Sequence, residues 1–323
     1  MIAIQDKLGI WLMTGMLAIL TIFFNMYLML VILRSYQKKQ KLNPCDLIIV
    51  AINVASIGLQ VFTYLWQSLD QIDIYCSVNF TTAVMLSLVY STKFIVFWCT
   101  AFLTFYYGTK LVMRPVDCYQ RMQENIIKHV RLVLVVIYIS GFGHGMPLLA
   151  LLHNYNVTST VNDCGSIMPS DIDGLAYVFY YVFISDIVPS IVMIKSSISI
   201  MFHLYHHLQD MKASTNGARG PKLGPQMRVI KMTLTLVVVF CIFVVIDLIV
   251  ESTVALQRQN TITVTVLVAS MYTTVSAAVM VYGKKRHWKD LISTYNLFLD
   301  EYPCLTGLKV AEVKTEPQEN SNN

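Results

Sequence analysis

The chain has 323 residues, 55% of them hydrophobic and only 13% charged, and its 24 Lys and Arg against 19 Asp and Glu leave it at +5. A mean hydropathy of +0.57 excludes an ordinary soluble domain and identifies a membrane protein. On such a chain the positive excess marks a cytosolic face and its anionic lipids, and no nucleic-acid partner is expected.

About 20 apolar residues cross the hydrocarbon core of a bilayer. Seven stretches reach that length: Ile10–Leu33, Asp46–Trp66, Thr82–Thr109, Leu132–Leu152, Gly174–Leu204, Val229–Ala255 and Thr261–Tyr282. The polar tract Gln257–Asn260 separates the last two. The first stretch is too long for a signal-peptide core and no small-residue cleavage pattern follows it, so a retained signal anchor is expected. Lys and Arg gather after the first span (Arg34, Lys38, Lys39, Lys41), between the third and fourth, between the fifth and sixth, and after the seventh. The opposite loops hold little beyond Lys7 and Arg258. This asymmetry puts the amino terminus outside and the carboxyl terminus in the cytosol. The expected organisation is an extracellular segment 1–9, an all-α seven-helix membrane domain 10–282, an amphipathic surface helix 283–299 and a polar cytosolic tail 300–323.

In chain order, Asn25 is a polar amide within the first span, expected to face the bundle and bond a neighbouring helix. Asn43-Pro44 reads as a turn with proline near the first helical position and Asp46 in the first turn of the second helix. Two sequons, Asn79-Phe80-Thr81 and Asn156-Val157-Thr158, fall on faces assigned to the outside and are glycosylation candidates. Of the seven cysteines, Cys76 and Cys164 are placed outside, which allows one bridge between outer loops; Cys45, Cys99 and Cys241 read as small core residues. No Cys/His spacing suggests a metal site.

The third span carries Trp98, Phe102 and Phe105 at i, i+4 and i+7, an aromatic stripe on one face. Packing and a ligand-facing wall are both compatible with it. Ionisable residues inside spans cost about 2.5–3.5 kcal/mol each on insertion scales and become functional candidates: Lys93, Asp186, Lys195, Asp247 and Glu251. Lys93 and Glu251, both in the outer half, suit an interhelical pair, as a structural tie or as part of a ligand site. Tyr177, Tyr180 and Tyr181 fit a ligand wall or an interfacial belt. In the third inner loop Gly217, Gly220, Pro221, Gly224 and Pro225 interrupt the helix among basic residues. Beyond the seventh span, Trp288, Leu291, Ile292, Tyr295, Phe298 and Leu299 form an amphipathic stripe suited to the inner leaflet.

Several of these stretches carry a more specific pattern. Leu42-Asn43-Pro44-Cys45-Asp46-Leu47-Ile48, with Leu59-Gln60 beyond it, resembles the opening of the second span in the taste receptor type 2 family, the bitter receptors. Trp98, Thr100, Leu103, Thr104, Tyr106, Tyr107, Lys110 and Leu111 follow that family's third span without a gap. Pro189, Leu204, His207, Met211, Gly217, Arg219, Pro221 and Lys231 fall at the spacing of its fifth span and third inner loop. The chain departs where the family's arginine of the second span appears as Ser56, where Gly220 and Gln226 stand for an aspartate and a histidine, and where Ser276-Ala277 replaces a His-Ser pair. It resembles a divergent member.

The resemblance implies a G-protein-coupled chemoreceptor in the plasma membrane, binding a small-molecule agonist from outside and activating a gustducin-like heterotrimeric G protein, as a monomer or as a homo- or hetero-oligomer. It implies a ligand cavity between the third, fifth, sixth and seventh helices, with Trp98 at a ligand-contacting position and Phe102 one turn deeper; Tyr181, Asp186 and Glu251, read from their own chemistry, join them as candidate contacts. For coupling it points to Lys110, His207, Met211, Arg219 and Lys231. No D-R-Y follows the third span and no N-P-x-x-Y closes the seventh, so a rhodopsin-like receptor is disfavoured. No nucleophile, acid–base pair or phosphate loop stands at a suitable position, so neither an enzyme nor a cofactor is expected. The rival readings are a transporter or channel with Lys93, Asp186, Asp247 and Glu251 along a polar path, and a chemoreceptor of another seven-helix family. No internal repeat favours the transporter.

Overall fold

The computed structural model describes residues 4–40, 43–72, 80–111, 125–126, 128–154, 172–214, 224–257, 262–283 and 285–300. The long elements are helices: α1 (Ile4–Lys39), α2 (Pro44–Ile72), α3 (Phe80–Leu111), α4 (Val130–Asn154), α5, α6 (Gly224–Gln257), α7 (Ile262–Gly283) and α8 (Lys285–Asp300). Helix α5 is composite: Ile172–Val182, a π-helical turn over Phe183–Ile187, and Val188–Ser214. Seven helices, α1 to α7, are long and apolar enough to cross a membrane, as expected when each backbone polar group in lipid must be satisfied within its own segment. Large apolar side chains stand exposed around the bundle, Ile19, Ile139, Phe202 and Ile249 among them, which in a bilayer is the lipid face.

The helices outrun the apolar windows at their cytosolic ends. α6 opens at Gly224, with Pro225 at its start, so these two residues begin a helix rather than interrupt a loop. The second helix begins as the sequence implies: Pro44 is its first residue, Asp46 lies in its first turn, and Leu47 N–H donates to the Asn43 carbonyl at 3.1 Å.

α3 and α7 are interior, with 67% and 61% of their spanning windows buried against 28% for α1 and α4. α4 seats on α3 through small residues. At Gly141 and Gly145, one turn apart, a Cβ would collide with Ile95 and with Ser91 Oγ respectively, and Ser87 Oγ donates to the Gly145 carbonyl at 2.7 Å. Such small residues let backbones approach closely in the absence of a hydrophobic driving force between helices in lipid. Gly143, on the opposite face, meets nothing within 4 Å.

A polar seam joins α1, α2 and α7. Asn53, Ser56, Gln60, Thr63 and Gln67, on one face of α2, are all buried. Gln60 Nε2 donates to Thr273 Oγ1 at 2.7 Å and to the Ser270 carbonyl at 3.1 Å, while Thr21 and Thr274 share a hydroxyl contact at 2.6 Å. Asn25 is fully buried, but its amide donates to the Thr21 carbonyl of its own helix at 2.8 Å, not to a neighbouring helix. A carbonyl of the preceding turn is the partner within reach, and Thr21 makes the interhelical contact instead. Cys45, Cys99 and Cys241 are free thiols, with Cys45 Sγ 2.7 Å from the Tyr107 hydroxyl.

Replacing Gly145 with leucine is expected to remove most of the protein from the cell surface, because overpacking a closed contact costs about 1–3 kcal/mol or more, whereas Gly143→Leu is expected to express normally. Surface labelling of both variants checks this; equal expression would rule out the close α3–α4 seat.

Candidate functional site

The site begins with a break in α5. Pro189 has no N–H, so in the π register the carbonyl of Ile184 loses its donor. The indole N–H of Trp98 takes that place at 3.1 Å, while Val188 N–H closes a π-type bond to the Phe183 carbonyl. The π turn holds Ser185 and Asp186 inside the bundle, Asp186 with no exposure at all. A π turn inside an α-helix commonly marks a functional position.

Asp186 meets Lys93 of α3, whose ammonium is the hub of a buried charge cluster. Lys93 Nζ donates to Asp247 Oδ2 in a short contact, lies 3.7 Å from Asp186 Oδ1 and reaches Glu251 Oε1 at 4.0 Å. All four side chains are buried: Lys93 and Asp247 are 2% exposed and Glu251 7%. One cation therefore faces three carboxylates contributed by α5 and α6. At an effective dielectric of about 20 each attraction at about 4 Å is worth about 4 kcal/mol. Burying four ionisable groups costs on the order of 10 kcal/mol, which the attractions to the single Lys93 ammonium offset in part. Asp186 Oδ2, Asp247 Oδ1 and Glu251 Oε1 are buried without a hydrogen bond.

Aromatic rings close the cluster on two sides. Towards the cytosol, Phe97 of α3 packs edge-on against Phe240 of α6 (5.0 Å between centroids) and Tyr272 of α7 (5.1 Å), with Phe243 beside Tyr272. Towards the outside, Tyr90 of α3 meets Tyr181 of α5 at 4.8 Å, and Tyr177 follows at 6.0 Å. Lys93 Nζ lies 5.5 Å from the Phe97 ring and 5.6 Å from the Tyr181 ring, within cation–π distance of both.

The structure brings Tyr181, Asp186 and Glu251 together around Lys93. Trp98 lies one turn deeper, half-buried, its polar edge bonded to the π turn, and Phe102 is packed in the core below. The Lys93–Glu251 pair read from the sequence is present, but it is the longest of the three contacts; Asp247 is the direct partner, because one further turn of α6 brings it level with Lys93. Lys195 is exposed on the outer surface of α5. Tyr177 and Tyr181 point inward, whereas Tyr180 is exposed and stacks on His144 of α4. Tyr90, Phe97, Phe240 and Tyr272 were not singled out from the sequence. Their signal was the helical spacing Tyr90–Lys93–Phe97 and Phe240–Asp247–Glu251, which places each set on one face with the charges.

On the cytosolic side, Lys110 ends α3, exposed, its ammonium 5.9 Å from the Tyr106 ring. Exposed Lys231 borders a cavity of about 750 Å³ between α6, α7 and the start of α8, lined also by Met232, Ala278, Tyr282 and Trp288. His207 and Met211 lie on the inner extension of α5. Arg219, the sequons at Asn79 and Asn156, and Cys76 with Cys164 lie outside the described residues. Among the described residues no group of His, Cys, Asp and Glu is arranged to hold a metal ion.

A hub of charge between the third, fifth and sixth of seven spanning helices suits a helix-bundle receptor, and comparison with protein families decides which. The family model for taste receptor protein (TAS2R) matches residues 1–293. The chain belongs to that family. It is a multi-pass plasma-membrane chemoreceptor for bitter-type ligands, coupled to a G protein. TAS2R proteins are a family of receptors, not of enzymes.

Replacing Lys93 with methionine is expected to lower the thermal stability of the purified receptor by about 3–5 kcal/mol, since three carboxylates lose their counter-charge. Lys93→Met combined with Asp247→Asn is expected to recover part of that loss. Trp98→Phe, which orphans the Ile184 carbonyl, is expected to cost about 1–3 kcal/mol. Unchanged unfolding temperature in Lys93→Met would remove the cluster from any structural role.

Proposed function

We propose that this TAS2R receptor detects its agonists at the charge cluster and signals by releasing α6 from α3. The supporting observation is the sharing of one buried ammonium, Lys93, by carboxylates of α5 and α6. A small organic molecule arriving from outside reaches the Tyr90–Tyr181 pair and Glu251 before the inner charges. Trp98, Phe102, Tyr181, Asp186 and Glu251 form its contacts or their immediate support, Trp98 by holding the π turn at Ile184. An agonist that offers the carboxylates or Lys93 a better partner weakens the α3–α6 tie. The inward arrangement of α6 then loses population, and activation is a population shift driven by differential affinity for the two arrangements.

At the cytosolic end the same shift opens the bundle to the carboxyl-terminal helix of a gustducin-like Gα subunit, with Lys110, His207, Met211, Arg219 and Lys231 as its coupling residues. The amphipathic α8 lies on the inner leaflet, Leu291 and Ile292 half-buried on one face, and the basic inner surface meets anionic lipid. Asn79 and Asn156 are the glycosylation sites of the outer loops, and Cys76 with Cys164 a bridge between them. The unit of signalling is one seven-helix domain, 10–282, alone or in an oligomer.

Calcium release in cells carrying a gustducin-type chimera, challenged with a panel of bitter compounds, tests this reading. A ligand-specific response is expected in the wild type, reduced at least about tenfold in potency in Asp186→Asn at matched surface expression. A response that Asp186→Asn and Trp98→Ala leave intact moves the site elsewhere. Solute flux without G-protein activation sinks the receptor mechanism.

A further inference from the structure

The charge cluster has two unequal halves. Its inner half is closed: Lys93 Nζ is committed to Asp247 and Asp186, and the Phe97, Phe240 and Tyr272 rings cap it towards the cytosol. Its outer half is buried as well, beneath Tyr90, Tyr177 and Tyr181, but it is less completely paired. Glu251 is the carboxylate farthest from Lys93, at 4.0 Å, its Oε1 makes no hydrogen bond, and its side chain keeps 8% exposure against 1% for Asp186 and 3% for Asp247. With every group ionised, one ammonium against three carboxylates leaves two negative charges uncompensated. In a low-dielectric bundle such an excess is relieved by a proton on a carboxyl or by a further cation.

The surroundings say what kind. The three carboxylates are not arranged, among the described residues, to share a metal ion. The walls instead are tyrosine rings. Lys93 Nζ joins carboxylate and wall, lying 4.0 Å from Glu251 Oε1 and 5.6 Å from the Tyr181 ring. The hydroxyls of these walls are occupied with backbone: Tyr181 donates to the Tyr90 carbonyl at 2.7 Å and Tyr177 to the His144 carbonyl at 3.2 Å. Their rings are buried against one another beside the cluster, and Tyr181 already holds the Lys93 ammonium at cation–π distance, 5.6 Å, which shows that this wall accepts a cation. Carboxylate and tyrosine rings together recognise an organic ammonium ion. An anion meets the wrong charge there, and a neutral molecule without a hydrogen-bond donor leaves Glu251 Oε1 unpaired.

We propose that the outer half of the cluster is a binding site for organic ammonium ions, with Glu251 as counter-charge and Tyr90, Tyr177 and Tyr181 as the cation-facing wall. The inference rests on the reading of this cluster as the agonist site, and it names the ligand class: aryl or alkyl amines protonated at neutral pH, and quaternary ammonium compounds. The guest takes Glu251 from Lys93 and leaves the Lys93–Asp247 contact in place, so it weakens the α3–α6 tie without replacing its hub.

The test uses the full-length receptor in lipid nanodiscs and two probes of the same shape, benzyltrimethylammonium and its neutral carbon isostere neopentylbenzene. Benzyltrimethylammonium is expected to raise the unfolding temperature in a saturable way, and neopentylbenzene is not. Glu251→Gln is expected to weaken the ammonium effect at least about tenfold, with Glu251→Asp within a few-fold of wild type and Tyr177→Leu between them. Equal stabilisation by both probes, none by the ammonium, or an unchanged response in Glu251→Gln overturns the proposal. Should Glu251→Gln fail to fold, the wild-type comparison of the two probes and the Tyr177→Leu arm still decide it. Nucleotide exchange on the G protein, driven by a neutral bitter agonist and compared between wild type and Asp186→Asn, tests the site reading separately. Exchange lost in that variant without discrimination between the probes leaves the site reading standing and removes the ammonium inference alone.

Discussion

One ammonium group shared among carboxylates of two other helices is the constraint on which the middle of this receptor depends. Helix association in lipid lacks the hydrophobic drive available in water, so packing and polar contacts must hold the bundle. Lys93 meets that need between α3, α5 and α6, with Asp186, Asp247 and Glu251 all within 4.0 Å of one nitrogen. A tie of this kind is stiff while complete and weak once a member is removed or offered a better partner, because uncompensated charge in the interior is costly. In the mechanism proposed above, stability and switching reside in the same contact.

The π turn makes the arrangement possible. Pro189 leaves Ile184 without its backbone donor, the Trp98 indole fills the gap, and Asp186 sits buried at the hub. Trp98 therefore connects α3 to the backbone of α5 one turn below the charges. The rings of Phe97, Phe240 and Tyr272 then separate the charge layer from the cytosolic half. The seam of α1, α2 and α7, held by Gln60 and the Thr21–Thr274 contact, provides a fixed side against which α6 can move. Ser56, where the family carries an arginine, is buried in that seam and its hydroxyl makes no hydrogen bond; a charge there is replaced by a small neutral group, and Gln60 supplies the tie to α7.

Much of the site was legible residue by residue and little of it as an arrangement. Lys93, Asp186, Asp247 and Glu251 stood out because ionised side chains in apolar spans are expensive. Their partnership was read only as Lys93 with Glu251, since depth along a helix does not say which turn of a neighbour lies level with it. Tyr90, Phe97, Phe240 and Tyr272 went unnoticed because an aromatic residue in a membrane helix has no distinguishing cost. Asn25 was expected to reach a second helix and bonds its own, since a carbonyl one turn back is always within range and a neighbour is within range only if the packing brings it there.

The sequence by itself determined the class, the seven crossings, their direction and the family, because each follows from a property read along one dimension: apolar length against bilayer thickness, the side on which Lys and Arg fall, and the spacing of motifs such as Leu42–Ile48 and Trp98–Leu111. Tertiary structure alone decided that Asp247 is the direct partner of Lys93, that α5 carries a π turn at Asp186 and that Trp98 completes it. Those outcomes depend on the rotation and relative depth of helices that lie far apart in the chain, and packing sets both.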